Sequence, residues 1–246
     1  MPQTWNAADY AATARFVSDL GQPVLELLAP RPGERILDVG CGDGALTEKL
    51  VASGATVVGV DPAPDFVAAA LARGLDARRL DAQALPFERE FDAVFTNAVL
   101  HWIPDLDAAL RGIHRALKIG GRLVGECGGH GNVAAVSTAL QAVGLRHGVR
   151  VQLPWSYPTP DDFTRRLIAA GFRPLSVELI PRPTPLASGM AAWLRTFAGP
   201  VFEQLPPGAR ESAIDETVDL LRWSLSDEQG RWTADYVRLR FAARLP

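Results

Sequence analysis

The chain is poor in cysteine and lysine and has no long apolar run. Two cysteines, Cys41 and Cys127, in 246 residues are too few for a disulfide scaffold and fit a reducing compartment. No paired Cys or His spacing suggests a metal site, so no metal is expected. Lysine occurs only at Lys49 and Lys118, and a net charge of −3 supplies no basic field for nucleic acid. No stretch approaches the ~18 unbroken apolar residues of a membrane span. The start, Met1-Pro2-Gln3-Thr4-Trp5, lacks a basic region followed by an apolar one, which argues against export. Linkers, repeats and low-complexity tracts are missing as well. These absences lead to the expectation of one cytoplasmic α/β domain, a monomer or homodimer, whose partner is a small molecule rather than nucleic acid or a membrane.

What is present is organised around residues 35–50. Ile36-Leu37-Asp38-Val39 is an apolar run of the kind that forms a buried parallel strand, and it ends in the turn Gly40-Cys41-Gly42-Asp43-Gly44. Helical spacing resumes with Leu46 and Leu50. A strand, a glycine turn and a helix in that order form a nucleotide-binding corner, because glycines bring ligand atoms close to bare N–H groups. Gly40, Gly42 and Ala45 fit the dinucleotide form, whereas Gly40, Gly42 and Gly44 fit a form with glycine at every second position. The charges favour the second. Asp38 before the turn and Asp43 within it would repel a pyrophosphate and attract a ligand bearing an ammonium and a sulfonium, S-adenosylmethionine.

Asp38-Val-Gly40-Cys-Gly42-Asp-Gly44 resembles the first motif of the class I S-adenosylmethionine-dependent methyltransferases. Four further motifs follow in order: Val57-Val58-Gly59-Val60-Asp61-Pro62, Leu80-Asp81-Ala82, Phe91–Asn97 running into His101-Trp102, and Leu117–Leu123 with its Gly120-Gly121 turn. Within the class, Trp5-Asn6-x-x-x-Tyr10 and Asn97–Asp105 are similar to the trans-aconitate methyltransferase group of small-molecule enzymes. The resemblance implies a doubly wound, seven-stranded, mostly parallel Rossmann-like sheet. An N-terminal helical cover over residues 1–30, a cofactor core over 31–130 and a helical cap over 181–230, inserted before the last strand, complete the expectation. It also implies cofactor contacts at Asp38, Gly40, Cys41, Gly42, Gly44, Asp61, Pro62, Asp81, Ala82, Asn97, Trp102, Tyr10 and Trp5.

Several of these residues carry two readings. Asp61, at the end of its strand, can accept both ribose hydroxyls or cap the helix that follows. Asp81 can accept from an adenine amine, with the Ala82 N–H donating to the ring, or serve as a turn residue. Trp5, Tyr10 and Trp102 can wall the cofactor or simply pack the core. His101 can be a general base or a ring bonded to the backbone. Glu126 and His130, close together in a glycine-rich loop, are further candidates for a base or a substrate contact. Asn132 is expected to cap the next helix. Arg182, Arg195 and Arg238 are candidates to grip an acidic substrate, or else surface ion pairs.

The spacing predicts strands at 76–81, 122–127, 175–180 and 232–245, and helices at 106–117 and 131–147. Thr159 is expected as an N-cap with Pro160 in the first helical turn. The reading that follows is methyl transfer to a small molecule, at the oxygen of a carboxylate or hydroxyl. An NAD-dependent oxidoreductase and a non-catalytic S-adenosylmethionine-binding protein stand as rivals.

Overall fold

The computed structural model describes residues 15–246, so Trp5 and Tyr10 lie outside the described residues. Nine strands form within that range. They are β1 (Arg35–Val39), β2 (Thr56–Asp61), β3 (Asp76–Arg79), β4 (Phe91–Asn97), β5 (Leu117–Gly128), β6 (Arg173–Pro181), β7 (Thr184–Pro185), β8 (Thr233–Ala234) and β9 (Val237–Arg244). Seven of them build one sheet in the order β3-β2-β1-β4-β5-β9-β6. β1 to β5 pair in parallel, and β9 runs antiparallel between β5 and β6. β7 and β8 form a separate two-stranded ribbon.

The helices are α1 (Arg15–Asp19), α2 (Gln22–Leu28), α3 (Ala45–Ala52), α4 (Pro64–Ala72), α5 (Leu106–Ala116), α6 (Ala134–Arg146), α7 (Pro160–Ala169), α8 (Gly189–Phe197), α9 (Gly199–Phe202) and α10 (Arg210–Leu225). The central strands read as apolar runs because both faces are covered. Val24, Leu28, Leu46 and Leu50 of α2 and α3 cover one face. Leu110, Ile113, Phe163 and Leu167 of α5 and α7 cover the other. A third apolar cluster joins α6 to α8, α9 and α10 through Val136, Leu140, Trp193, Phe202 and Ile214, and it includes Trp155 and Tyr236.

The sheet order sets the position of the site. After β1 the chain moves outward through β2 and β3, then returns to lay β4 on the other side of β1. Such a reversal opens a crevice at the carboxyl ends of β1 and β4, where ligands gather in open α/β sheets.

Four local expectations are revised. β5 begins at Leu117 rather than at Arg122: Leu117 pairs with Phe91 and Arg122 with Ala93, so Lys118–Gly121 form a bulge inside the strand. β3 stops at Arg79, and Asp81 instead caps a short 3-10 turn by accepting from the Gln83 N–H at 2.8 Å. The final segment is broken at Asp235-Tyr236, so that β8 pairs with β7 while β9 enters the main sheet. Asn132 does not cap α6. Its Oδ1 accepts from the Val237 N–H at 2.9 Å, and the α6 N-terminus is served by Asp235, which accepts from the Ala135 N–H at 2.8 Å. Thr159 caps α7 as expected, accepting from the Asp162 N–H.

Phe163 is fully buried with its ring 4.6 Å from that of Phe241, tying α7 to β9. Phe163→Ala is expected to lower unfolding stability by about 3–5 kcal/mol, read from denaturant titration.

Candidate active site

The chain turns at Gly40 because a side chain has no room there. Gly40 has φ +77°, and a Cβ would lie 2.1 Å from Val99 Cγ2. Its N–H donates to the Val60 carbonyl at 2.8 Å, which ties the turn to β2. Gly44 also has positive φ, and a Cβ there would strike Leu75 at 2.4 Å. Gly42 differs: at φ +55° it has nothing within 4 Å of where a Cβ would be. Two glycines thus fix the turn, and the third leaves room beside it.

A cavity of about 1200 Å³ opens at this turn. Asp38, Gly40, Cys41, Gly42, Asp61, Pro62, Asp81, Ala82, Asn97 and Trp102 line it, so these expected cofactor residues are brought together from β1, β2, β4 and the loops after β2 and β3. Gly44 is not on the lining and acts through backbone shape.

Asp38 is 2% exposed and accepts from the Thr47 hydroxyl at 2.7 Å. Burial raises its pKa to about 7, with the Thr47 bond opposing the rise and the charge of Asp61 adding to it. Asp61 uses both oxygens locally: Oδ1 accepts from the Ala63 N–H at 2.9 Å and Oδ2 from the Gly42 N–H at 3.1 Å. It therefore stitches the glycine turn to the loop before α4, and its remaining lone pairs stay available to a diol. Burial pushes its carboxyl upward against these two bonds. Burial also raises the Cys41 thiol, so it stays protonated, a small side chain in the turn. The Asn97 amide donates to the Val17 carbonyl at 3.3 Å, while its Oδ1 is buried without a partner.

The expected bases fare differently. His101 lines the cavity, but its Nδ1 accepts from the Gly128 N–H at 3.2 Å. The proton then sits on Nε2, and the ring is a donor rather than a base. Burial, helped by the charge of Arg238, holds its pKa well below the usual histidine value. Glu126 and His130 do not act together. His130 is exposed, and Glu126 is fully buried, meeting Arg182 and Arg238 through Oε1 and Arg240 through Oε2. Both of its oxygens are taken up by arginines, and it is not on the cavity lining.

Of the three expected arginines, only Arg238 lines the cavity. Arg182 pairs with Glu126 behind it, and Arg195 pairs with Glu211 away from it. The rest of the lining comes from outside the glycine core: Trp155 and Tyr157 before α7, Trp193 and Phe197 on α8, and Tyr236 before β9. The Trp193 indole donates to the Tyr236 hydroxyl at 2.7 Å. The sequence signal for these residues was the concentration of aromatics and prolines after residue 150. Their convergence depends on pairing far along the chain.

A glycine turn flanked by buried carboxylates, at the switch point of a doubly wound sheet, defines an α/β protein that takes a cationic nucleoside. Known proteins place it further. The family model for a methyltransferase domain matches residues 37–125. An uncharacterized methyltransferase of Schizosaccharomyces pombe is 38% identical over 260 residues, spanning 99% of both chains. Trans-aconitate 2-methyltransferase of Methylobacterium nodulans is 36% identical over 126 residues, 48% of each chain. Among solved structures, geranyl diphosphate C-methyltransferase from Streptomyces coelicolor superposes with a TM-score of 0.57 at 17% identity, over 95% of this chain and 80% of that one. The chain belongs to the class I S-adenosylmethionine-dependent methyltransferases, and S-adenosylmethionine is its cofactor. The residues present fit that group: Gly42 leaves space at the turn, and the carboxylates of Asp38 and Asp61 line it, whereas Asp43, expected to add a second charge, is paired with Arg15 at 3.3 Å and Arg73 at 3.1 Å.

Two outcomes test this geometry. A cationic ligand requires Asp38 ionised, so below its free-state pKa of about 7 a proton must be displaced. Affinity for S-adenosylhomocysteine is expected to fall as pH drops below that point, approaching about tenfold per pH unit, and to level off above it. Calorimetry across the range reads the slope, and Asp38→Asn should weaken binding and remove it. Glu126→Ala leaves the buried Arg238 and the half-buried Arg182 and Arg240 without their counter-charge and is expected to lower unfolding stability by about 3–5 kcal/mol, read by denaturant titration.

Proposed function

We propose that the chain methylates a small molecule at oxygen, with an ionised carboxylate as the acceptor favoured. The observation that carries this reading is that the described lining residues away from the cofactor turn offer no free carboxylate and no imidazole with an open acceptor nitrogen. Among the described lining residues, His101 is a donor and the carboxylates lie at the cofactor turn and along the loops after β2 and β3, while Glu126 is buried behind Arg238. A carboxylate needs no deprotonation at neutral pH, whereas a phenol or an ammonium would.

The bound cofactor supplies an electrophilic methyl group on a sulfonium, and attack by a carboxylate oxygen forms an O–C bond, breaks the C–S bond and calls for no proton acceptor. The protein's part is holding and drying. Asp38 and the glycine turn would receive the amino-acid end, Asp61 the ribose, and Asp81 with Ala82 the base. Trp102, Trp155 and Trp193 exclude water from the far part of the cavity, and positioning with desolvation can supply most of the acceleration. The helices within residues 181–230 act as the cap that encloses the acceptor. The trans-aconitate 2-methyltransferase relative, named for a carboxylic acid, supports the same direction. No helix among the described residues is long and apolar enough to cross a membrane.

The test is transfer of labelled methyl groups from S-adenosylmethionine to pools of carboxylic acids, phenols and amines. Label is expected in base-labile esters from the acid pool; transfer confined to amines would overturn the acceptor assignment. Asp61→Ala is expected to weaken S-adenosylhomocysteine at least about tenfold through loss of hydrogen bonds to a charged group, read by calorimetry.

A further inference from the structure

The charges along the cavity are segregated. Asp38, Asp43, Asp61, Asp65 and Asp81 all lie at the glycine turn, at the end of β2, in the first turn of α4 or just after β3, and Arg238 is the sole arginine or lysine among the described lining residues. Arg238 is 3% exposed. Its Nε contacts Glu126 at 3.3 Å, and both Nη groups are without a protein hydrogen bond among the described residues. Glu126 cannot balance the charge around it, because Arg182 and Arg240 share the same carboxylate at 2.7 Å each. Three guanidinium groups on one carboxylate leave a surplus of positive charge, and Arg238 is the buried member and the one that meets the cavity. Surplus charge in a low-dielectric setting attracts an anion far more strongly than a surface arginine does.

A second donor accompanies it. The Trp155 indole Nε1 is buried without a partner, on a residue that is 9% exposed and lines the cavity. An unsatisfied indole N–H costs stability unless a ligand accepts from it. Trp155 is also the centre of an aromatic wall: Tyr157 stacks on it at 22° with centroids 6.1 Å apart, and Trp102 meets it edge-on at 5.4 Å. The Arg238 guanidinium lies over the Tyr236 ring at 5.6 Å, and flat π-faces lining the same cavity as a guanidinium and one neutral N–H suit a planar body that ends in a planar monoanion.

We propose that Arg238 and Trp155 form an anion subsite for a conjugated or aromatic monocarboxylic acid, the carboxylate on the Arg238 fork and the planar body along Trp155 and its neighbours. This deepens the assignment of an acidic acceptor and rests on it. The acids near the glycine turn repel the same carboxylate, so the ligand enters in one orientation. Glu126 is a positioning residue that fixes Arg238 through Nε and leaves the fork free.

The experiment is calorimetry with matched probes, run on the protein alone and saturated with S-adenosylhomocysteine. Cinnamate is expected to bind at least about tenfold more tightly than cinnamamide, which has the same shape without the charge. Arg238→Gln should remove that preference while leaving cinnamamide unchanged, and Trp155→Phe should weaken cinnamate about threefold. The wild-type comparison requires no variant to fold. Equal binding of cinnamate and cinnamamide, no binding of either, or tighter binding of phenyl phosphate than of cinnamate would overturn the subsite. Cinnamate preference in a protein that fails to bind S-adenosylhomocysteine would support the subsite and overturn the methyltransferase reading.

Discussion

The backbone of Gly40 is pressed against the side chain of Val99, and the site depends on that contact. Gly40 ends β1 and Val99 follows β4, so the contact spans the place where the sheet reverses its order. A side chain at residue 40 would push these elements apart, and the turn would lose its bond to Val60. With the turn fixed, Gly42 can present its N–H to Asp61, and that carboxylate can link β2 to the turn. The crevice is thus a consequence of backbone packing first and of charge second.

Charge then divides the space. Carboxylates occupy the end near the glycine turn, where a cation must be held, and burial keeps Asp38 poised between its two protonation states. The other end is aromatic and has one guanidinium. A cavity polarised in this way accepts a cationic donor and an anionic acceptor in opposed places, and each is repelled from the other's position. Specificity comes from repulsion as much as from attraction.

The cofactor end was legible in the sequence because it is local. Asp38, Gly40, Gly42 and Gly44 lie within seven residues, Asp61 ends β2 as its position suggested, and Asp81 lies two residues beyond the end of β3. The acceptor end was not legible in the same way. Trp155, Trp193 and the pair Tyr236 and Arg238 come from three segments far apart in the chain, and they meet through the helix cluster around α8 and the insertion of β9 between β5 and β6. Glu126 looked like a base because its sequence neighbour is a histidine, whereas its spatial neighbours are arginines from β9 and the end of β6. The expected end of α5 at residue 117 and the Asn132 cap failed for a related reason. Pairing with β4 drew Leu117 into a strand, and Asp235, a hundred residues away, supplied the cap that a nearer side chain was expected to provide.

The position of β9 also shapes the order in which the sheet can be completed. β6 has no hydrogen-bonded neighbour in the sheet except β9, yet α8, α9 and α10 separate the two in sequence. Until β9 arrives, β5 and β6 each expose an unpaired edge, with the entropy of a long loop opposing their union. The pairing of β9 with β5 and β6 is also what sets Arg238 and Arg240 against Glu126. The acceptor end accordingly rests on contacts distant in sequence, whereas the cofactor end is built largely from near ones.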